Sequence, residues 1–160
     1  MIGANQMKIT DLDISKQAFV YAAIHMLANR MQTLGDKIDP TVSSKQWFVL
    51  AVVLKFDATP PNIGDVADAL GTSRQNIKKI ANILEKRGFL RLEKDEKDLR
   101  SIRLFLTEQC YKYLKGREQQ ENEYLKRIFS ELEEEEVTVL CKGLGKLLKN
   151  LDNLLEWEDE

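Results

Sequence analysis

Apolar residues recur at helical spacing along most of the chain and switch to alternation with polar ones, on both sides of a charged loop, only between positions 89 and 106. That switch predicts a set of helices interrupted by one β-hairpin. From Ile63 to Leu84 the run IGDVADALGTSRQNIKKIANIL places Ala67, Gly71 and Ile77 at the fifth, ninth and fifteenth positions, with Val66, Leu70, Ile80 and Leu84 supplying the other apolar contacts. Two helices joined by a short turn cross closely, so a small residue is required at Ala67, and the turn requires a residue tolerant of positive φ, which Gly71 supplies. The spacing predicts a helix-turn-helix with helices over 63–71 and 72–87. Thr72 and Gln75 read as the capping box that opens the second helix. At 100° per residue Ile77, Ile80, Ala81 and Leu84 share a buried stripe, Gln75, Lys79, Asn82 and Lys86 point away from it, and Lys78 lies on the flank.

After Arg87 and Gly88, a helix stop signal, the sequence FLRLEKDEKDLRSIRLFLTE predicts a hairpin over 89–106. Leu90 and Leu92 on one strand and Ile102, Leu104 and Leu106 on the other would cover the helices, leaving Asp95 to Arg100 as an exposed tip. A helix-turn-helix followed by such a hairpin is a winged helix. Asp98 and Arg100 are spaced so that the carboxylate can hold the guanidinium through a charge-assisted pair, aiming Arg100 outward.

Three longer helices flank this unit. The first, from about Ile14 to Leu34, is apolar around most of its circumference (Phe19, Val20, Tyr21, Ile24, Met26, Leu27, Met31) and is expected to be buried on several sides. The second runs from Thr107 to Phe129 and is polar from Arg117 to Glu123. The third, from about Glu134 to Glu156, carries a seam of Val137, Leu140, Leu144, Leu147, Leu151 and Leu154, widened by Cys141, Leu148 and Leu155. At 1.5 Å per residue it would be about 35 Å long, more surface than one small domain covers, so a partner helix is expected. The predicted architecture is mainly α (α+β), a winged helix-turn-helix with long N- and C-terminal dimerisation helices. The expected organisation is a single domain over 1–160, comprising an N-terminal dimerisation helix in 1–38, the winged unit in 41–106 and C-terminal dimerisation helices in 107–160.

Charge distribution directs the functional reading. The 160-residue chain has a formal net charge of −2, yet Thr72 to Arg103 contains ten Lys or Arg against five Asp or Glu. A mildly acidic protein with one basic surface points to a docked polyanion rather than indiscriminate binding, and double-stranded DNA is the expected partner. Gln75, Lys79 and Asn82 are the candidates for reading base edges in the major groove. Ser73, Arg74 and Lys78 are the candidates for phosphate positioning, with Asn76 beside them. Lys97 and Arg100 are suited to the negative potential of a narrow minor groove, with Asp98 orienting the wing.

Other chemistry finds no support. His25 is the single histidine and reads as a core or interface residue, and the chain has no CxxC, no HExxH, no phosphate-binding glycine loop and no evident nucleophile with its base. No catalytic residue, metal site or cofactor is expected. Cys110 and Cys141 fall on apolar stripes and read as buried, inert thiols. No apolar run approaches the ~20 residues of a membrane span, and the first residues lack a signal peptide's pattern, so a cytoplasmic protein is expected.

These residues resemble the MarR-type winged-helix transcription regulators of bacteria and archaea. The resemblance rests on SSKQWFVLAVV in the second helix, on TSRQNIKKIANILEKRGFL, and on DEKDLRSIRLFLTE, where Asp98 and Arg100 match an Asp-x-Arg wing element and Leu106-Thr107 opens the next helix. It implies an obligate homodimer with its recognition helix in the major groove and its wing in the minor groove, usually repressing genes and often released by a small molecule. Recognition helices about 34 Å apart would read a pseudopalindromic operator. Many members carry further arginines around the wing element, where this chain has Lys97 and Leu99. Family effectors sit between the dimer helices and the winged domain, which here would draw on Tyr21, His25, Trp47 and Tyr111; a small aromatic or organic effector is thus a candidate partner. The peroxide-sensing members use a cysteine in the first helix, and this chain has none before Cys110. The competing reading is a dimeric winged-helix module that binds proteins without sequence-specific DNA binding.

Overall fold

The computed structural model describes residues 13–56 and 59–158. Among these the chain forms α1 (Lys16–Ile38), α2 (Ser44–Lys55), α3 (Ile63–Ala69), α4 (Arg74–Lys86), β1 (Leu90–Lys94), β2 (Ile102–Leu106), α5 (Glu108–Ile128) and α6 (Glu134–Glu158). A winged helix-turn-helix with long flanking helices is what the hydrophobic pattern predicts. The first compact unit ends at Lys112 and the second begins at Tyr113; the start of the N-terminal segment, residues 1–12, lies outside the described residues.

In the first unit the starts of the helices are set by side-chain caps that satisfy amides lacking an intrahelical partner. Ser43 and Gln46 form a capping box on α2, and Asn62 and Asp65 form another on α3, with Asp65 N donating to Asn62 Oδ1 at 3.0 Å and Asn62 N to Asp65 Oδ2 at 2.7 Å. The core between these helices and the hairpin is Val49, Leu50, Val53, Val66, Ala67, Ile77, Ala81, Leu84, Phe89, Leu90 and Leu104, each almost completely buried. Ala67 is buried where α3 meets α4, as the tight crossing requires.

Both helices of the pair end in the same way. Gly71 at φ 58° and Gly88 at φ 76° are left-handed C′ residues. After α3, Thr72 N donates to Ala67 O at 3.0 Å and Gly71 N to Asp68 O at 3.2 Å; after α4, Phe89 N donates to Leu84 O at 2.9 Å and Gly88 N to Glu85 O at 2.9 Å. These are Schellman closures, and at the second the accompanying apolar contact is available from buried Leu84 and Phe89.

The first closure corrects the predicted start of the recognition helix. The amide of Thr72 is committed to ending α3, and its Oγ1 accepts from Asn76 Nδ2 at 3.1 Å. Ser73, with extended backbone, is the N-cap instead, its Oγ accepting from Asn76 N at 3.2 Å. Helix α4 therefore runs 74–86 rather than 72–87, and Gln75 takes no part in a capping box.

The hairpin pairs Leu90 with Leu106 through to Lys94 with Ile102. Its two edges are both occupied. Leu104 N donates to Pro61 O at 2.9 Å, next to a bridge between Asn62 and Arg103, and Leu92 N on the other edge donates to Glu85 Oε1 at 3.0 Å. Covered edges of this kind do not template pairing with another chain. Thr107 closes the unit by capping α5, with Cys110 N donating to its Oγ1 at 3.1 Å while that hydroxyl donates to Gly88 O at 2.6 Å.

Two expectations of burial are corrected. Helix α1 has no buried residue, and Phe19, Val20, Tyr21, Ile24, Leu27, Met31 and Leu34 are all exposed on it. Among the described residues of the first unit, its apolar circumference is left open. In the second unit the seam of α6 is likewise open at Leu140, Leu144, Leu147, Leu148, Leu151, Leu154 and Leu155, and Cys141, expected to be buried, is exposed.

Candidate nucleic-acid interface

Helix α4 turns Ile77, Ile80, Ala81 and Leu84 inward and leaves Ser73, Arg74, Gln75, Asn76, Lys78, Lys79 and Asn82 exposed. The structure separates the roles of these polar side chains. Ser73 Oγ accepts as the cap and Asn76 donates to Thr72, so both stabilise the helix start and have less hydrogen-bonding capacity to offer a partner. The guanidinium of Arg74 lies over the first turn of α3, where a Cβ on Gly64 would fall 3.3 Å from its Nε. Gln75, Lys78, Lys79 and Asn82 have no side-chain hydrogen bond or ion pair within the described chain.

The wing tip is built around Asp95. Far from being exposed, as the hydrophilic loop suggested, Asp95 is 8% accessible. Its Oδ1 accepts from Lys97 N at 2.8 Å and Asp98 N at 2.9 Å, and its Oδ2 accepts from Arg103 Nε. Arg103 in turn donates to Pro60 O at 2.6 Å, fastening the tip to the segment before α3. The amide of Asp98, the Arg103 guanidinium and the amide of Lys97 together hold the Asp95 carboxyl at about 2, below its ordinary 3.8.

Asp98 acts differently from the expectation. Its carboxylate accepts from the backbone amide of Arg100 at 3.0 Å and holds no guanidinium, while its carbonyl accepts from Ser101 N at 2.8 Å. The physical reason is reach. In a tight tip the nearest donor to a short aspartate is the amide two residues on, an Asx turn. Arg100 and Lys97 are exposed and make no ion pair among the described residues.

The ten cations of the basic segment thus divide into two sets. Arg87 donates to Thr41 O and to Gln46 Oε1 and lies over the Phe89 ring, Arg91 pairs with Glu93 and lies over Phe105, and Arg103 serves Asp95. Those three are structural. Arg74, Lys78, Lys79, Lys86, Lys94, Lys97 and Arg100 make no ion pair within the described chain and carry the positive surface. Sequence reasoning missed Asp95 and Arg103 as the residues that position the wing; the available signal was an aspartate heading a short polar turn.

The four candidate effector residues are placed as follows. Tyr21 and His25, one turn apart on α1, meet edge to face at 4.9 Å, Trp47 meets Phe48 at 5.1 Å, and Tyr111 is exposed. Cys110 is fully buried, and desolvation pushes its thiol up to about 11. Among the described residues no group of three His, Cys, Asp or Glu is arranged to hold a metal ion.

A model of the MarR family matches residues 39–101, the span from the end of α1 through the wing tip. The winged helix of this chain is similar to that of the MarR family. Over 91 residues it is 33% identical to an uncharacterized HTH-type transcriptional regulator, YfiV, of Bacillus subtilis, covering 57% of each protein. Over 90 residues it is 33% identical to the transcriptional repressor MprA of Escherichia coli, covering 56% of this chain and 51% of MprA. The chain thus spans little more than half the length of these curated relatives. The fold also matches the S. aureus MepR–DNA complex at a TM-score of 0.74 and 20% identity, over 86% of this chain and 99% of that one. The MarR match contains α4 and the tip from Asp95 to Ser101, so it includes the exposed residues of the candidate interface, while Arg103, which holds Asp95, lies just beyond it.

Proposed function

We propose that this MarR-family protein is a sequence-specific DNA-binding transcription regulator, a repressor that reads a pseudopalindromic operator as a homodimer. The observation that carries the reading is the pairing of two exposed cationic elements on one compact unit. Helix α4 offers Gln75, Lys79 and Asn82 for base edges and Arg74 and Lys78 for phosphates, and the tip offers Lys97 and Arg100 for a minor groove. The likeness of the fold to a protein solved on DNA, and the naming of MprA as a repressor, support the same reading.

The homodimer is the second part of the proposal. Helix α1 and helix α6 each leave an apolar face uncovered, and a second copy of the chain is the partner proposed for them, symmetric dimers being the commonest assemblies. Release by a small aromatic or organic ligand bound near Tyr21, His25, Trp47 and Tyr111 is the third. A ligand at 100 times its dissociation constant would stabilise the protein by about 2.7 kcal/mol, which a thermal-shift panel of aromatic acids detects.

Binding to a fluorescent duplex from the upstream region of its own gene, measured across salt concentrations, tests the DNA reading. The logarithm of the association constant is expected to fall with the logarithm of salt at about −0.9 per neutralised phosphate. Arg100→Ala is expected to weaken binding and make that slope shallower by about 1 without lowering the melting temperature. An affinity unchanged by Arg100→Ala would remove the wing from the mechanism.

A further inference from the structure

The most exposed large apolar side chain among the described residues is Leu99, 72% accessible, at the tip of the wing. Isolated exposed leucines are common on protein surfaces and need no partner. Leu99 differs in its setting. The backbone on either side of it is fixed by Asp95 Oδ1 on the amides of Lys97 and Asp98, by Asp98 Oδ1 on the amide of Arg100 at 3.0 Å, and by Asp98 O on Ser101 N at 2.8 Å. Little ordering entropy is left to be lost there when a partner arrives, so an apolar side chain in this place returns most of its burial energy as affinity. Lys97 and Arg100 beside it are exposed cations that make no ion pair among the described residues, and the intervening Asp98 carboxylate is turned onto the Arg100 amide, so two cations flank an apolar side chain at the tip.

Resting on the DNA reading above, the geometry points to Leu99 as the wing's apolar contact with the duplex, packed on the deoxyribose walls of the minor groove while Arg100 and Lys97 engage the negative potential beside it. A leucine has no donor or acceptor, so it cannot read base edges by hydrogen bonding; the surfaces open to it in a minor groove are sugar C–H groups and partly unstacked base faces, which apolar wedges use in architectural proteins. The contact is insensitive to ionic strength, because it releases no counterion.

Full-length wild type, Leu99→Ala, Leu99→Met and Arg100→Ala are titrated by fluorescence anisotropy with one operator-length duplex over a range of salt concentrations. Leu99→Ala is expected to bind about tenfold more weakly, the loss corresponding to a largely buried leucine side chain, with the wild-type salt slope and the wild-type melting temperature. Leu99→Met is expected to stay within about twofold of wild type, since it keeps the apolar volume. Arg100→Ala supplies the contrasting signature of a shallower slope. Wild-type affinity in Leu99→Ala overturns the inference, as does a loss accompanied by a shallower slope or a lower melting temperature, and either leaves the DNA reading standing. A wild-type protein that binds no duplex overturns both.

Discussion

Asp95 carries the arrangement of the wing through three accepted hydrogen bonds, and none of them involves a residue that faces a partner more directly than Lys97. Asp95→Asn replaces one acceptor oxygen with a donor that opposes either the amides or the Arg103 guanidinium, so it should loosen the tip. The expected outcome is weaker DNA binding with unchanged helix content by circular dichroism; undiminished binding would show that tip geometry is irrelevant to the contact. The acid side follows from the same bonds. A carboxyl held at about 2 against an ordinary 3.8 stabilises the tip fully above the ordinary value and loses that contribution as pH falls through about 2. Carbon NMR of the Asp95 carboxyl should titrate near the lower value, and a midpoint at 3.8 would contradict the hydrogen bonding described. Cys110, neutral and fully buried, should resist thiol reagents until the protein unfolds, and labelling in the native state would contradict its placement. At this scale the sequence was only partly legible. A charged residue in a polar turn looks the same whether it is solvated or is the hub of the turn, and Thr72 and Ser73 are equally good caps until the closure of the preceding helix commits one of them.

The elements themselves were easier to read, because periodicity reports a face rather than a partner. Alternation placed Leu90 and Leu104 inward, and the ninth-position glycine of the helix pair has the left-handed backbone that its turn demands. Gly71→Ala isolates that demand, since a Cβ there meets nothing within 4 Å. The expected cost is about 1–2 kcal/mol of stability in a denaturant titration, from the backbone alone. A stability equal to wild type would mean that the turn relaxes and that the crossing of α3 and α4 is set elsewhere. What alternation could not give is the covering of the hairpin's edges by Pro61 and Glu85, since those bonds depend on loops that carry no period. Which basic residues are structural was also hidden. Arg87 is spent on the distant Thr41 carbonyl, Arg91 on its strand neighbour Glu93 and the Phe105 ring across the hairpin, and Arg103 on Asp95 across the hairpin, and only the folded chain distinguishes them from Lys79 or Arg100.

For the whole molecule, the apolar circumference of α1 and the leucine seam of α6 were legible as surfaces that require cover, and each is exposed among the described residues of its own unit. Light scattering at micromolar concentration should report twice the 18.5 kDa chain mass, and a monomer would contradict the proposed dimer. No helix among the described residues is long and apolar enough to cross a membrane. The exposed face of α4 and the wing held by Asp95 bear on the central proposal, that a symmetric pair of these chains reads DNA sequence. Selection of bound fragments from the host genome tests that claim most directly. The account predicts enrichment of a pseudopalindrome whose half-sites lie about 10–10.5 base pairs apart, one turn of the duplex. A selected pool with no enriched sequence would contradict it.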